Sequence, residues 1–207
     1  MKESYFITDY CTIRKQTVSE NGQVVFKGSE SKPAAFFTEA YKRFAFNYPK
    51  FYKMDTLCKL GYLASEIVLK NKEINGKNTG VILYNAASSM DTDRNHQHSI
   101  DDRNAWFPSP SVFVYTLANI VIGEICIRHK IYGEGAFFIS EKYDIDKMHN
   151  YVELLFNDNV IQNCLTGWVE CNGDHYDCNL MLIQKSSVKR EGFVIFDPLN
   201  IREIYSH

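Results

Sequence analysis

The sequence lacks a long hydrophobic run and lacks an excess of charge of either sign. No stretch approaches the roughly 18 apolar residues of a membrane-spanning helix, and Met1 to Tyr5 contains no apolar signal sequence. The 23 Lys and Arg residues against 25 Asp and Glu give a formal net charge of −2, so no global basic field attracts nucleic acid. The net charge does not exclude a local basic patch. We therefore expect a cytoplasmic protein with no membrane span and no nucleic-acid partner.

Cysteine is also sparse, with six residues among 207, which is too few for a domain built on disulfides. We expect free thiols at these positions: Cys11, Cys58, Cys126, Cys164, Cys171 and Cys178. With 45% hydrophobic and 23% charged residues, the chain has an ordinary globular composition. Its length favours a single domain over residues 1–207.

The residue patterns of known chemical sites are missing as well. There is no Gly-rich phosphate loop, serine elbow or Walker pattern. Cys171, His175 and Cys178 are close in sequence but lack a fourth zinc ligand at regular spacing. His96 and His98 suit a metal ion only if both rings face one way, as on a strand, and this stretch has the composition of a loop. The residues alone predict no metal site, no cofactor and no catalytic residue.

Short β-prone runs alternate with helical patterns along the chain. The predicted elements are strand 4–13, a hairpin at Asn21-Gly22, an irregular, partly helical, aromatic and basic stretch 33–52, helix 55–70, strand 79–85, helix 111–129, strand 136–140, helix 144–156, antiparallel strands 164–171 and 176–184, and a short element after Pro198. This order predicts an α/β fold with a mixed sheet and packed helices.

Two segments carry more specific expectations. Residues 86–107 are polar and predict a surface loop or an exposed short helix. Residues 111–129 are apolar almost all round, which predicts one long helix that is buried on most sides. Within that helix, Glu124 and Arg128 have the spacing of an intrahelical ion pair.

Residues 108–128, PSPSVFVYTLANIVIGEICIR, resemble a segment of the β-ketoacyl-ACP synthases. That family has a proline, a phenylalanine, Thr-Leu-Pro-Asn, a small residue and an apolar helix in this order. Thr116, Asn119 and Gly123 occupy motif positions, whereas Ala118 replaces the motif proline. Met54-Asp55 before the preceding helix and Gly133-Glu134-Gly135 after this segment also follow the order of the family's N-terminal half.

The resemblance implies a thiolase-like fold, in which two similar βαβαβαββ halves build the enzyme, and the predicted element order is similar to one half. The family's nucleophilic cysteine would fall near Glu141 or Lys142, but no cysteine occurs between Cys126 and Cys164. The family's catalytic histidine pair, or histidine and asparagine, belongs to the other half. The chain therefore resembles short ketosynthase-like proteins related to chain-length factors, found with complete ketosynthases in bacterial aryl polyene and flexirubin-type pigment clusters.

By this resemblance, we expect a non-catalytic ketosynthase-like subunit of a fatty-acid or polyketide-type pathway. Its expected partner is a complete ketosynthase or a second copy of the chain, with acyl carrier protein as a further partner. One alternative is an acyltransferase or thioesterase that uses Cys126, Cys164 or a histidine. Another is a free-standing binding module for acyl chains or carrier protein.

The resemblance also implies an interface at Phe137, Phe138 and Ile139. In ketosynthase-like dimers, the strand before the nucleophile position pairs across the two-fold axis. An apolar edge strand aggregates unless it is covered, so these three residues predict a partner chain. The alternative is that the closing hairpin, residues 164–184, covers this edge within the same chain.

Overall fold

One mixed sheet with helices on both faces organises the chain. The computed structural model describes residues 4–102, 104, 106–187 and 190–206. The strands are β1 (Ser4–Arg14), β2 (Thr17–Glu20), β3 (Gln23–Lys27), β4 (Thr79–Asn85), β5 (Gly135–Ile139), β6 (Asn163–Asn172), β7 (His175–Ser186) and β8 (Val194–Ile195). The α-helices are α1 (Pro33–Arg43), α2 (Thr56–Val68), α3 (Met90–His98), α4 (Pro110–Phe113), α5 (Ile120–His129), α6 (Ile145–Asn157) and α7 (Pro198–Ser206). Short 3-10 helices cover Pro49–Lys53, Gly76–Asn78 and Val114–Thr116.

The strand order is β3-β2-β1-β7-β6-β4-β5, and β8 pairs with β1. Strand β4 is parallel to both β5 and β6, whereas the other pairs are antiparallel. Parallel neighbours require crossover helices, and α3 to α6 provide them. The predicted α/β class with a mixed sheet is confirmed.

The sheet is covered on both faces, and β4 is its most buried strand. Every residue of β4 is buried, as its continuous apolar pattern predicts. On one face, α1, α2 and α5 enclose a core with Leu83 at its centre; on the other, α6 and α7 enclose a second core around Ile82. The predicted strands at residues 79–85 and 136–140 are confirmed.

Helix α2 shows how local signals and packing agree. Asp55 caps its first turn, because its Oδ1 accepts a hydrogen bond from Cys58 N at 2.8 Å. A Cβ at Gly61 would overlap the Val121 side chain, so glycine lets α5 pack closely against α2. The predicted helix 55–70 is confirmed.

The predicted single helix over 111–129 is wrong. Helix α4 and a 3-10 turn are followed by an extended Leu117, with φ −111° and ψ 117°, before α5 begins. The Ser89 hydroxyl donates to Thr116 O at 2.7 Å, so a distant residue takes a carbonyl that a continuous helix would use. The segment is not buried on most sides either, because Phe113 is 60% and Ile127 is 64% exposed.

The predicted intrahelical pair of Glu124 with Arg128 is also wrong. Glu124 is buried and contacts Lys50 Nζ at 2.7 Å, and it accepts a hydrogen bond from the Tyr115 hydroxyl at 3.0 Å. Arg128 instead donates two hydrogen bonds to Glu66, at 2.6 and 2.9 Å. Each charge has turned towards a neighbouring element, where a planar two-point contact or a nearby cation offsets its burial.

The polar stretch after β4 contains the exposed short helix α3, in agreement with one of the two predicted forms. Its residues Arg103 and Ala105 lie outside the described part of the chain. Within the described part, no single helix is both long and apolar enough to span a membrane. One sharply bent pair, Pro110–Thr116 with Ile120–His129, meets the length and composition test only when the two are joined.

The closing hairpin β6–β7 is antiparallel, as predicted, but it does not cover β5. Strand β6 pairs with β4 on the side away from β5, and β7 pairs with β1. The alternative in which this hairpin covers the Phe137–Ile139 edge is therefore wrong. Among the described residues, β5 has β4 as its one strand neighbour.

Candidate functional site at the edge of the sheet

Strand β5 leaves part of its backbone without a strand partner. Val81 N donates to Glu134 O at 2.8 Å, and Ser140 N donates to Asn85 O at 2.9 Å. Glu134 and Ser140, which flank β5, therefore direct their backbone groups towards β4, and so do the even-numbered residues between them. Because direction alternates along a strand, Gly135, Phe137 and Ile139 direct their N–H and C=O groups towards the open edge.

A groove runs along this edge on the α5 side of the sheet. We call it the edge groove; it measures about 610 Å³ and is lined by Ser88, Thr116, Leu117, Ala118, Asn119, Ile120, Ile122, Gly123, Gly135, Phe137 and Ile139. The structure thus places all three motif positions of the sequence analysis beside two of the three predicted interface residues. These residues are distant in the sequence, and the fold brings them to one surface.

Thr116 and Asn119 shape the break that opens the edge groove. The Thr116 hydroxyl donates to Phe113 O at 2.8 Å, which closes the 3-10 turn. Asn119 precedes α5, and its carbonyl accepts from Ile122 N at 3.1 Å and from Gly123 N at 3.3 Å. Their observed role is therefore to end one helical segment and begin the next.

Gly123 has no packing role within the described part of the chain. A Cβ built there would meet no atom within 4 Å, in contrast to Gly61 on α2. Gly123 also has φ in the normal helical range, so the backbone does not require glycine. A small residue on this open helix face leaves room for a close neighbour outside the chain.

Large apolar side chains extend the surface beyond the edge groove. Trp106 is 65%, Phe107 is 83% and Leu117 is 61% exposed, and Val114 and Ile139 are also exposed. Leu117 and Ile139 belong to the edge groove itself, and exposed apolar side chains at such a groove are typical of an interaction surface.

A second groove lies on the opposite face of β5. We call it the aromatic groove; it measures about 320 Å³ and is lined by Tyr84, Phe138, Ile139, Ser140, Lys147 and Tyr151. The Phe138 ring stacks on Tyr84 at 4.8 Å and meets Tyr151 edge-on at 5.0 Å. Ile139 borders both grooves, so the β5 edge is flanked by apolar recesses on both faces.

The expected nucleophile position lies between β5 and α6. Glu141 and Lys142 are exposed there. Asp144 caps α6 by accepting a hydrogen bond from Lys147 N at 3.1 Å, and this bond lowers the pKa of the Asp144 carboxyl. The start of the helix, where the family's thiolate would be stabilised, therefore has a carboxylate of this chain.

The cysteines are free, and burial raises the pKa of all six. The pKa of Cys126 rises to about 11 and that of Cys171 to about 12. Activation of a thiol requires a shift in the other direction. The two cysteines named for relocated chemistry, Cys126 and Cys164, thus lie in environments that oppose thiolate formation.

The histidine and cysteine groups considered from the sequence are not brought together. Cys171 and Cys178 are buried, whereas His175 is exposed at the hairpin turn. His96 and His98 lie on helix α3, where two residues apart means different faces. In residues 4–102, 104, 106–187 and 190–206, no three His, Cys, Asp or Glu side chains form a metal-binding group.

A basic surface covers the region from α1 to the end of α2, and the sequence reasoning did not locate it. Residues 40–72 have a formal charge of +5, which leaves −7 for the rest of the chain. The two acidic residues in this region point inward: Asp55 caps α2, and Glu66 is buried against Arg128. The exposed charges are basic: Lys42, Arg43, Lys53, Lys70 and Lys72, of which Lys72 pairs with Asp9.

No protein-family model matches the chain, and no curated protein matches its sequence. Solved structures do match its fold. The ishigamide ketosynthase/chain length factor matches with a TM-score of 0.65 and 15% identity, over 90% of this chain and 64% of that one. The complex of the ketosynthase ApeO with its chain length factor ApeC from Xenorhabdus doucetiae matches with a TM-score of 0.62 and 10% identity, over 99% of this chain and 91% of that one.

A third structure, a type II PKS acyl-carrier protein in complex with its ketosynthase (AntDE:AntF), matches with a TM-score of 0.60 and 11% identity, over 89% of this chain and 64% of that one. At such identities the likeness concerns the fold. The chain spans less than two thirds of the first of these structures. The resemblance noted in residues 108–128 is thus supported by an independent comparison, and the chain has the thiolase-like fold of the ketosynthase and chain length factor structures.

Proposed function

We propose that the chain is a non-catalytic ketosynthase-like subunit in fatty-acid or polyketide-type biosynthesis. The pathway is proposed by analogy with the aryl polyene and flexirubin-type pigment pathways named above. The observation that carries the proposal is the open β5 edge with a groove on each face. A chain of this fold that presents such an edge is suited to continue its sheet into a partner.

The two grooves restrict the shape of that partner. A lone helix would fill one groove and leave the backbone of Gly135, Phe137 and Ile139 without hydrogen bonds. A strand that carries helices on both sides satisfies the backbone and fills both recesses. The partner is therefore a sheet edge of similar architecture, as a complete ketosynthase or a second copy would provide.

The β5 sequence is self-complementary in size, which supports a second copy. In an antiparallel two-fold pair centred on Phe137, Gly135 lies opposite Ile139 of the partner subunit. Ala136 then lies opposite Phe138 of the partner subunit, so Phe138 and Ile139 each face a small residue, and the two copies of Phe137 face each other at the two-fold axis. No charged residues lie within β5, so this register brings no like charges together in the paired strands.

The non-catalytic role rests on the surroundings of the nucleophile position. Glu141 and Lys142 stand where the family has a cysteine. Neither can replace a thiolate as acyl carrier, because an acylated carboxylate is a labile anhydride and an acylated amine is an inert amide. The helix that would activate a thiolate is capped by Asp144. The cysteines elsewhere have raised pKa values, which opposes the acyltransferase alternative.

Carrier-protein contact is a second part of the proposal. The basic surface includes the exposed side chains of Lys42, Arg43 and Lys53. No acidic residue is exposed between residues 40 and 72. An acyl carrier protein with an acidic docking face fits such a surface by charge. The AntDE:AntF structure, a carrier protein in complex with its ketosynthase, supports the idea by analogy.

Substitution of Ile139 tests the edge. Ile139→Arg places a charge between the two grooves, and association with a second copy or with a ketosynthase neighbour should weaken by about 100-fold. Val24→Arg on β3 is the matched control, since Val24 is also apolar and exposed but lies at the opposite end of the sheet from β5. Sedimentation gives the association constants, and circular dichroism confirms that both variants fold. A wild type that remains monomeric at high concentration, alone and with that neighbour, contradicts the proposal.

Incubation with an acyl carrier thioester and malonyl thioester tests the chemistry. We expect no condensation product and no cysteine acylated, as read by mass spectrometry of the intact chain. Covalent acylation of Cys126 or Cys164 would favour the acyltransferase alternative.

A Lys42→Glu, Arg43→Glu, Lys53→Glu variant should bind carrier protein more weakly than the wild type, and this difference in affinity should shrink as the salt concentration rises.

A further inference from the structure

The side chain of Tyr143 is partly buried and its hydroxyl fully so, although the residue belongs to a connecting segment. It lies between β5 and α6, and its ring stacks on Trp168 at 5.6 Å and meets Tyr205 edge-on at 5.1 Å. Its hydroxyl is buried and has no hydrogen-bond partner among the described residues. Burial also raises the pKa of this hydroxyl well above its usual value. The ring fits this place, but the hydroxyl gains nothing from it.

A second buried polar group lies beside Trp168, on which the Tyr143 ring stacks. Asn179 is fully buried on β7, and neither atom of its amide has a hydrogen-bond partner within the described chain. In the β6–β7 register, Asn179 pairs with Trp168, so the two side chains stand next to each other on one face of the sheet. A buried amide without partners is unfavourable, and it offers both a donor and an acceptor to a ligand.

The opposite wall is held firmly. Arg14 Nε lies 3.0 Å from Asp177 Oδ1, and Arg14 Nη1 donates to Tyr205 O at 2.8 Å. The Tyr205 hydroxyl donates to Asp177 Oδ2 at 2.6 Å. These bonds fix α7 over the site, whereas no hydrogen bond among the described residues holds the Tyr143 side chain. Tyr143 is therefore the one of these two tyrosine side chains that packing alone holds in place.

We propose that the slot filled by the Tyr143 ring is a binding site for a small planar aromatic group with a hydrogen-bonding substituent, and that Tyr143 is its internal occupant. Trp168 and Tyr205 supply the two aromatic walls, and the amide of Asn179 pairs with the substituent. When Tyr143 turns outward, its hydroxyl reaches solvent and Asn179 becomes accessible. Both unsatisfied groups then gain partners, and this gain offsets the loss of stacking.

The slot also adjoins the aromatic groove. Tyr84 lines that groove and lies on the neighbouring strand β4, opposite Trp168 in the β4–β6 register. A ligand whose aromatic end occupies the slot has a path along Tyr84 towards the edge of the sheet. Because the slot lies inside one chain, this inference does not depend on the proposed subunit function.

The test uses p-cresol as the probe and toluene as its analogue without a hydroxyl. Tyr143→Ala should bind p-cresol at least about tenfold more tightly than toluene, because only p-cresol pairs with Asn179. In Tyr143→Ala with Asn179→Leu, this preference should disappear. Isothermal titration calorimetry measures the affinities, and Trp168 fluorescence in a Trp106→Phe background locates the binding.

The wild type should bind p-cresol about tenfold or more weakly than Tyr143→Ala, because Tyr143 competes for the slot. Equal affinities, or a Trp168 signal that p-cresol leaves unchanged in both proteins, overturn the proposal. Tyr143→Phe provides a check that needs no cavity: its melting temperature should equal or exceed that of the wild type. A clear loss of stability in Tyr143→Phe shows a bonded hydroxyl and overturns the proposal as well. Repeating the titration with Ile139→Arg separates this result from the fate of the β5 interface.

Discussion

The two ends of the sheet differ although each ends in a five-residue strand. Strand β3 carries the polar residues Gln23 and Lys27 at its ends, and the β2–β3 pair contains a register shift after Val18. Its Phe26 ring stacks on Phe36 of α1 at 6.0 Å. Strand β5 has none of these protections: it contains no charged residue, and its pairing with β4 is regular.

Charges, bulges and covering helices are the means by which proteins prevent edge strands from joining other chains. The β3 edge uses all three, whereas the β5 edge uses none and is flanked by two grooves. The difference indicates that exposure of β5 is not a general property of this sheet. It supports the view that one edge is closed and the other is kept open for a partner.

A charge placed on each edge gives the largest expected difference. Phe137→Lys directs a charge into the centre of β5 and should weaken association by about 100-fold or more. Val24→Lys on β3 should leave association unchanged, because Val24 is 64% exposed and its edge is already polar. Sedimentation equilibrium compares the two. Equal effects at both edges would show that β5 has no special role.

Gly123→Leu separates association from stability. No atom lies within 4 Å of a Cβ at this position, so the chain itself accepts a larger side chain. Loss of a helical glycine should stabilise the fold by about 0.5–1 kcal/mol. A partner packed into the edge groove should nevertheless bind about tenfold more weakly.

Thermal melts and sedimentation of Gly123→Leu are measured on the same preparation. Gly61→Leu serves as the control, because its Cβ overlaps Val121 and it should destabilise the fold. If Gly123→Leu leaves association unchanged, the edge groove is not part of the interface.

Removal of the charge from the closed edge should have a smaller effect. Lys27→Val leaves β3 with an apolar end and should cause slow, concentration-dependent association of otherwise folded protein. Light scattering over days measures it, with Lys70→Val, an exposed position outside the strands, as the control. A variant that stays dispersed would show that the Val18 bulge and α1 alone protect this edge.

The sequence predicted the elements better than their arrangement. Helix α2 was found because its apolar face and the Asp55 cap are local signals. The break at Leu117 was missed, because the Ser89 hydroxyl that binds the Thr116 carbonyl comes from outside the segment. In a segment that is apolar almost all round, a break in the helix does not interrupt any apolar stripe, so the sequence does not reveal it.

The candidate site at the β5 edge was also predictable only where its signals are local in the sequence. The apolar run Phe137–Ile139 predicted a strand. Only the sheet order shows that β5 is an edge strand and that the β6–β7 hairpin lies elsewhere. The basic surface was present in the sequence as seven Lys and Arg residues in residues 40–72. Its uniform sign became visible only when Asp55 and Glu66 were seen to turn inward, which depends on tertiary contacts.

Acid should affect stability while leaving the two edges alike, and this is the smallest effect we expect. Neither β3 nor β5 contains a group that titrates between pH 5 and 8. His129, which belongs to neither strand, is largely buried beside Ser65 and Glu66, and this burial lowers its pKa below the usual 6.5.

A histidine with a lowered pKa binds its proton more readily in the unfolded chain. Its contribution is therefore fully present above pH 6.5 and is lost as pH falls towards the folded pKa. The free energy of unfolding from urea titrations at pH 7.5 and 6.0 should fall at the lower pH, and His129→Gln should reduce the difference. Association measured at the same two pH values should stay constant, because no titrating group lies on either strand. A wild-type stability that is identical at both pH values would show that His129 is not held neutral by the fold.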